Sequence, residues 1–474
     1  MRRAFLGSIA MCLAGAGVSL AQPWGPPPLV PPGFGPMPPQ AVAPAMNPAR
    51  PNWGTWPAPS AQISDPGVVQ ANHATPSDCP ACGDTCGPTC AVDCCPPALP
   101  PECPETYCIH SWFSIEHLRW AIKDGPLPAP LVTSTTTLGS VAPAVLGDAG
   151  TIVLYGSKDI DYDTAHGMKL ACGVYDPSLN LGLEGAVFVL EDVPARFEDR
   201  VQANENRFLA RPFYNLQDNI QDVFYLAFPG AFYGGINVTS TSRFWGAEGN
   251  ITGCVYADDG CSIDLIGGFR YMYLKEGLTI TDNTVIVPGG AQGFFLGDPV
   301  NDGQIVRQDN FDTQNKFYGG QFGFRTELYL GKLFANFKGL VAVGTNHTSS
   351  TIRGQSQLFS TSGQSLNYTT AGGMLAVREN SNRISQDSAT VIPIFEVNVG
   401  CDITTWLRAY AGYTFIYWGS VTRPGDQIDV RIDPRSIPTS ATYDPAFRGA
   451  GPRNPFDRSD FWAQGLSLGL AVRF

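Results

Sequence analysis

Phe461-Trp462-Ala463-Gln464-Gly465-Leu466-Ser467-Leu468-Gly469-Leu470-Ala471-Val472-Arg473-Phe474 closes the chain, and its reading decides the fold. Taken alternately, Trp462, Leu466, Leu468, Leu470, Val472 and Phe474 fall on one side of an extended strand. Ala463, Gly465, Ser467, Gly469, Ala471 and Arg473 fall on the other, and Gln464 is the one polar residue on the oily side. Successive side chains of a strand point to opposite faces, so this strand has one apolar face and one small or polar face. A sandwich strand and a lipid-facing strand both read this way, so the preceding residues must separate them.

The same asymmetry recurs upstream from Ser111. Met168, Leu170, Cys172 and Val174 oppose Gly167, Lys169, Ala171 and Gly173. Leu181, Leu183, Val187 and Val189 oppose Glu184; Ile263, Leu265, Phe269, Tyr271 and Tyr273 oppose Asp264, Arg270 and Glu276. Tyr318, Phe322, Phe324, Leu328 and Leu330 oppose Asn315, Gln321, Arg325 and Glu327. Leu333, Phe337, Val341 and Val343 oppose Asn336 and Lys338, and Leu407, Tyr413, Phe415 and Tyr417 oppose Arg408 and Thr414.

Connection lengths discriminate further. Short turns fall at Asp176–Leu179, Ala257–Cys261, Gly331-Lys332 and Cys401–Thr404, with long connections at Glu191–Ser242, Gly277–Thr313, His347–Ser388 and Val421–Arg458. Strict alternation of short and long is the pattern of membrane barrels with tight turns at one end and long loops at the other. A closing strand that ends on Phe474 also matches the signal read by the outer-membrane barrel assembly machinery.

The expectation is therefore an all-β fold, an antiparallel transmembrane β-barrel over residues 111–474. Strands near 111–122, 166–175, 180–190, 243–256, 262–276, 314–330, 332–346, 389–400, 405–420 and 459–474 number ten. Thr151–Gly156 and Gly373–Val377 would make twelve, since both chain ends on one side require an even count. Mean hydropathy is −0.05, and no internal run reaches the roughly 18–20 apolar residues of a spanning helix.

Residues 1–21 read as a secretory signal, with Arg2 and Arg3 before the apolar Ala4–Val18 and a small-residue cut after Ala21. The formal charge of −12 becomes two units more acidic once those arginines leave, which argues against nucleic acid as a partner. Gln22–Pro104 carries 23 of the 40 prolines, so neither helix nor sheet interior can form there. Residues 22–78 read as a disordered periplasmic spacer and 79–108 as a cysteine-rich segment. Cys79, Cys82, Cys86, Cys90, Cys94, Cys95, Cys103 and Cys108 are disulfide candidates, because export favours oxidation. Crosslinks to an envelope layer and a metal site are the alternatives, although the spacing does not repeat a zinc pattern. Cys254 and Cys261, which flank a short turn, are the candidate pair in the barrel.

Several stretches resemble the bacterial outer-membrane family called Putative beta-barrel porin-7. They are Trp112–Trp120 with Lys123-Asp124-Gly125-Pro126-Leu127-Pro128 and Leu131-Val132-Thr133, then Trp245-Gly246-Ala247-Glu248, Gly267-Gly268-Phe269-Arg270-Tyr271 and Asn315–Gln321. Gly412-Tyr413-Thr414, Val421-Thr422-Arg423-Pro424-Gly425-Asp426-Gln427-Ile428-Asp429 and Gln464–Phe474 complete the set. The resemblance implies a barrel in the outer membrane of a bacterium, and brings neither substrate nor catalytic residues.

Functional candidates follow from the inward phase. Glu184, Glu248, Asp264, Arg270, Glu276, Arg325, Glu327, Lys338 and Arg408 would line a lumen. In a water-filled pore they would set ion preference; in a closed barrel they would neutralise one another. Arg423 and Asp426 begin a long connection and are candidates to fold inward and narrow the mouth. Trp112, Trp120, Tyr271, Tyr273, Tyr413, Tyr417 and Trp462 are expected in interfacial girdles. A hydrolase needs a serine beside a histidine base; the five histidines, His73, His110, His117, His166 and His347, bring no such motif. No catalytic residue, cofactor or metal is expected. The leading function is passive diffusion of small solutes or ions. The rival is a closed structural barrel that anchors the outer membrane to an envelope layer through its cysteine-rich arm.

Overall fold

The computed structural model describes residues 109–359 and 367–474. The eight clustered cysteines from Cys79 to Cys108, the spacer and the signal lie outside the described residues. Ten strands form the wall: β1 (His110–Ile122), β2 (Ala165–Asp176), β3 (Leu181–Leu190), β4 (Phe232–Ala257), β5 (Cys261–Ile286), β6 (Gly303–Leu330), β7 (Leu333–Phe359), β8 (Arg383–Asp402), β9 (Leu407–Val421) and β10 (Ser459–Arg473). Each pairs antiparallel with the next. β10 then returns to β1, from Trp112 opposite Arg473 to Ile122 opposite Ala463. The sheet closes on itself, so no strand edge is left to face lipid.

The closing strand behaves as its alternation predicts. Leu466 and Leu468 are 63% and 65% exposed, whereas Phe461, Ala463 and Ser467 are buried. Gln464, the polar residue on the oily face, accepts a 2.7 Å hydrogen bond from the Tyr413 hydroxyl on β9, which hides its amide from hydrocarbon. Around the wall, Phe269, Phe322, Phe324, Phe395 and Val399 are similarly exposed outward. Trp245, Tyr271, Tyr273 and Tyr318 gather into an outer aromatic cluster, with ring centroids 5.1–6.2 Å apart. Rings with one polar end suit the membrane interface.

Trp112 and Trp120 depart from the expected girdle. They share the phase of Ser114, Glu116 and Leu118, which are buried in the lumen, and Trp120 is 1% exposed. The outward residues of β1 are Phe113, Ile115, His117 and Arg119.

β4 to β7 are also far longer than expected. β5 has 26 residues, which at about 3.4 Å each and a tilt near 40° spans roughly 65–70 Å, against an apolar band about 25 Å tall. Beyond Tyr273 the pattern inverts: Lys275, Thr279, Thr281 and Asn283 face out, while Leu278, Ile280 and Ile286 are buried inside. The wall continues past the membrane as a water-facing sheet with an apolar interior. Much of the expected long connections Gly277–Thr313 and His347–Ser388 is therefore wall.

That interior is filled by the loops. Pro130–Thr135, Ile152–Gly156, Phe208–Asn215, Ile220–Ala227 and Arg431–Ile432, drawn from three separate connections, build a five-stranded inner sheet. Leu131, Val132, Leu209 and Leu226 join Ile236, Leu278, Ile280 and Phe311 of the wall in one apolar core. Thr151–Gly156 thus belongs to this cap and not to the wall. Gly373–Val377 is no strand: the backbone N–H groups of Met374, Leu375 and Ala376 converge on Asp309 Oδ1 at 2.8–3.1 Å. The closed ring has ten strands; Val193–Val201, paired with the first half of β4, and Asn367–Ala371, paired with β7, extend the same sheet at the loop end.

Candidate functional site in the barrel lumen

All nine candidate lumen residues point inward, and each has an opposite charge within reach. At the turn end, Arg408 bonds Asp402 at 2.8 Å and also Glu327, which lies 3.9 Å from Arg473. Above them acids and bases alternate in a continuous chain. Asp264 meets Arg325 (3.0 Å), Arg325 meets Glu184 (2.7 Å), Glu184 meets Lys338 (3.8 Å), Lys338 meets Glu248 (3.0 Å), and Glu248 meets Arg270. Gln321 donates to Glu248 (2.9 Å), and Asn250 donates to Glu184 (3.1 Å).

A second group lies alongside. Lys169 sits 3.0 Å from Glu396 and 3.6 Å from Glu116, whose carboxylate also accepts from the Tyr410 hydroxyl at 3.1 Å. These side chains are mostly hidden from solvent; Glu248, Arg270 and Lys338 are each less than a tenth exposed. The void among Trp120, Lys169, Glu248, Arg270 and Glu396 measures about 10 Å³, room for no more than about one water. Charges desolvated to this degree are held only by mutual pairing.

Directly beyond the ionic layer the lumen turns aromatic. Phe244 of β4 meets Phe188 of β3 (5.1 Å), Phe461 of β10 (5.1 Å) and Trp418 of β9 (6.4 Å). Trp120 adds to Phe188 at 5.4 Å, and Phe317 of β6 to Trp418 at 6.4 Å. In a ring of ten, β4 and β9 are five strands apart, on opposite walls. The contact between Phe244 and Trp418 therefore crosses the full lumen. Gly246 makes room for it, since a Cβ there would stand 2.7 Å from the Phe188 ring.

The Arg423-Pro424-Gly425-Asp426 stretch folds inward over this septum as a short 3-10 turn. Arg423 is fully buried, pairs with Glu276 at 2.7 Å, and donates to the carbonyls of Asp124 (2.6 Å) and Lys123 (3.1 Å). One side chain thus ties three parts of the barrel together. Asp426 accepts from the Ser459 hydroxyl at 2.8 Å. Burial pushes its carboxyl above the ordinary range, against the pull of Ser459 and Arg423. Nearer the loop end, Arg211 of the inner sheet bonds Asp282 and Asp309, both at 2.8 Å, and Arg307 adds to Asp282 at 2.6 Å.

A family model described as Putative beta barrel porin-7 matches residues 112–474, the whole wall and cap. The chain belongs to this family. It is a bacterial outer-membrane β-barrel. No curated protein matches it. Solved structures similar to it include the outer membrane protease OmpT from Escherichia coli, at 10% identity and a TM-score of 0.32, covering 77% of this chain and 96% of that one. A Pseudomonas aeruginosa FadL homologue has 5% identity and a TM-score of 0.19, covering 77% and 90%. OmpT of Vibrio cholerae has 11% identity and a TM-score of 0.12, covering 77% and 97%. Similarity at this level adds nothing to the argument from geometry.

For this porin-7 family member, the candidate disulfide between Cys254 and Cys261 is not formed; both thiols are free. Cys254 lies opposite Asp264 on the lumen side, beyond an irregularity in the β4–β5 register, while Cys261 lies opposite Leu328, which faces out. The two sulfurs are on opposite faces of the wall. Glu116, Lys169 and Glu396 join the ionic layer beside the nine expected positions; the alternation that selects Glu248 also selects Lys169 and Glu396, whereas the mixed faces of β1 leave Glu116 unassigned by hydropathy. Asp282, Arg307 and Asp309 escaped because the strands carrying them run past the point where the outward residues cease to be apolar.

Proposed function

We propose that this protein serves as a closed structural barrel of the outer membrane, with its turn end toward the periplasm and its cysteine-rich arm tethered to an envelope layer there. The observation that carries the reading is the contact of Phe244 with Trp418 and Phe461 across the lumen, backed by an ionic layer whose acids and bases neutralise one another. A diffusion pore needs a continuous wet path and a transverse field facing water. The side chains that would make that field are buried against each other instead.

The passive channel remains the rival, and it requires the inward loops to leave. Planar-bilayer recording of the mature chain separates the two. A silent membrane, with the arm recovered from cells in high-mass complexes that collapse on reduction, supports the tether. Stepwise openings that persist when residues 22–108 are deleted would overturn it in favour of a pore.

A further inference from the structure

On the outer wall, the face of β1 carries a cation with no protein partner. Arg119 is exposed, and among the described residues it makes no ion pair or side-chain hydrogen bond. Beside it the imidazoles of His117 and His166 stack, with ring centroids 5.6 Å apart. The cross-strand neighbours on β10 are Leu466 opposite Arg119 and Leu468 opposite His117, two of the most exposed leucines of the wall. On β2, Met168 lies opposite His117 and is also exposed. The group next to Arg119 is therefore lipid. Glu191 accepts the backbone N–H of His166 at 3.1 Å through Oε1 and forms no ion pair with Arg119.

Height says which part of the lipid. Arg119 follows the start of β1 by nine residues, which at about 3.4 Å each and a tilt near 40° places it about 23 Å above the turn end. That is the upper limit of an apolar band about 25 Å tall, where headgroups begin. A guanidinium at this level finds its natural partner in a phosphate, which it can bind through two parallel N–H bonds. The imidazoles offer further ring N–H donors on the same face.

We propose that Arg119, His117 and His166 form an outward-facing site for the phosphate of a membrane lipid headgroup in the leaflet at the loop end. One basic side chain near a membrane surface contributes about 1 kcal/mol toward an anionic lipid, or about fivefold in affinity.

The test uses the full chain, refolded into vesicles of equal phosphatidylcholine and phosphatidylglycerol, released in mild detergent and weighed by native mass spectrometry. Retained phosphatidylglycerol is expected to exceed phosphatidylcholine about fivefold. Arg119→Leu should bring the ratio close to one, Arg119→Lys should keep most of it, and the pair His117→Ala and His166→Ala should fall between. Lys275→Gln, on an outward position four strands away, should leave the ratio unchanged. Heat-modifiable gel mobility checks that each variant is folded, and Arg119→Lys serves if Arg119→Leu is not. The proposal fails if the wild type shows no preference, if Arg119→Leu or the double histidine variant retains it in full, or if Lys275→Gln loses as much. It fails equally if crosslinking at position 119 captures a second copy of the chain instead of lipid.

Discussion

Glu248→Gln tests whether the lumen is dry. Glu248 is the acceptor for Arg270, for Lys338 at 3.0 Å and for Gln321 at 2.9 Å, and its side chain is 6% exposed. After the substitution Lys338 still has Glu184 at 3.8 Å, but Arg270 keeps only the Gln321 carbonyl, at 2.6 Å. Stranding one partner of a buried ion pair costs about 3–5 kcal/mol. The amide oxygen can still accept one hydrogen bond, returning about 1 kcal/mol, so the expected loss is about 2–4 kcal/mol. Asp264→Asn is the control: Arg325 is 22% exposed and retains Glu184 at 2.7 Å, so its loss should stay below about 1 kcal/mol. Removing both charges of the buried pair, as Glu248→Leu with Arg270→Leu, should recover at least half of what Glu248→Gln loses, because no charge is left unpaired. The assay is urea unfolding of the barrel in phosphatidylcholine vesicles, followed by tryptophan fluorescence. In a water-filled pore these charges would be screened, and Glu248→Gln would cost no more than Asp264→Asn. Equal losses, or a double variant no more stable than the single, would refute the closed lumen.

Three further outcomes are expected. Replacing Phe244, Trp418 and Phe461 together by alanine removes the rings that meet across the lumen, so single-channel recording should detect a small ion leak; a membrane as silent as with the native chain would place the closure elsewhere. Arg423→Gln leaves the Glu276 carboxylate buried without its cation, at about 3–5 kcal/mol, and should expose residues 422–458 to limited proteolysis while the wall stays resistant; an unchanged digestion pattern would deny Arg423 that role. In the same loop, burial works to raise Asp429 and Asp433, but Arg431, Arg435 and backbone N–H groups outweigh it and hold both carboxyls below the usual range. A depressed acid stabilises the fold above its unfolded pKa, so hydrogen exchange in 429–436, corrected for the intrinsic pH dependence of amide exchange, should be flat down to about pH 4 and quicken below it. Quickening that began near pH 6 would point to other groups.

The membrane-spanning half was readable because one physical requirement governs it: the outward face must be apolar over about ten residues per strand. That rule gave β10, the short turns, the ten strands of the ring and the inward phase of the nine candidate charges, but left open whether Thr151–Gly156 and Gly373–Val377 would raise the count to twelve. It lapses where the wall rises into water, since there the outer face is polar and the inner face apolar, the reverse of what marks a spanning strand. Leu278, Ile280 and Asp282 of β5 lie in that reversed region, and so read as loop. The cap was hidden for a different reason. Its sheet joins Pro130–Thr135, Phe208–Asn215 and Arg431–Ile432, segments separated by up to three hundred residues, and no local periodicity records such pairing.

β1 is the instructive failure, because its two faces are equally mixed. Phe113, Ile115, His117 and Arg119 alternate with Trp112, Ser114, Glu116, Leu118 and Trp120, so hydropathy does not fix the phase, and tryptophan invites assignment to a girdle by residue type. What fixes it is a charge. Glu116 outward would stand unpaired in hydrocarbon; inward, it joins Lys169 at 3.6 Å and Tyr410 at 3.1 Å. Once Glu116 is inside, the period of two carries Trp120 in with it, against Phe188, as part of the septum. The opposite consequence falls on Arg119, which the same period turns to the outer face, opposite Leu466 of β10 and His166 of β2.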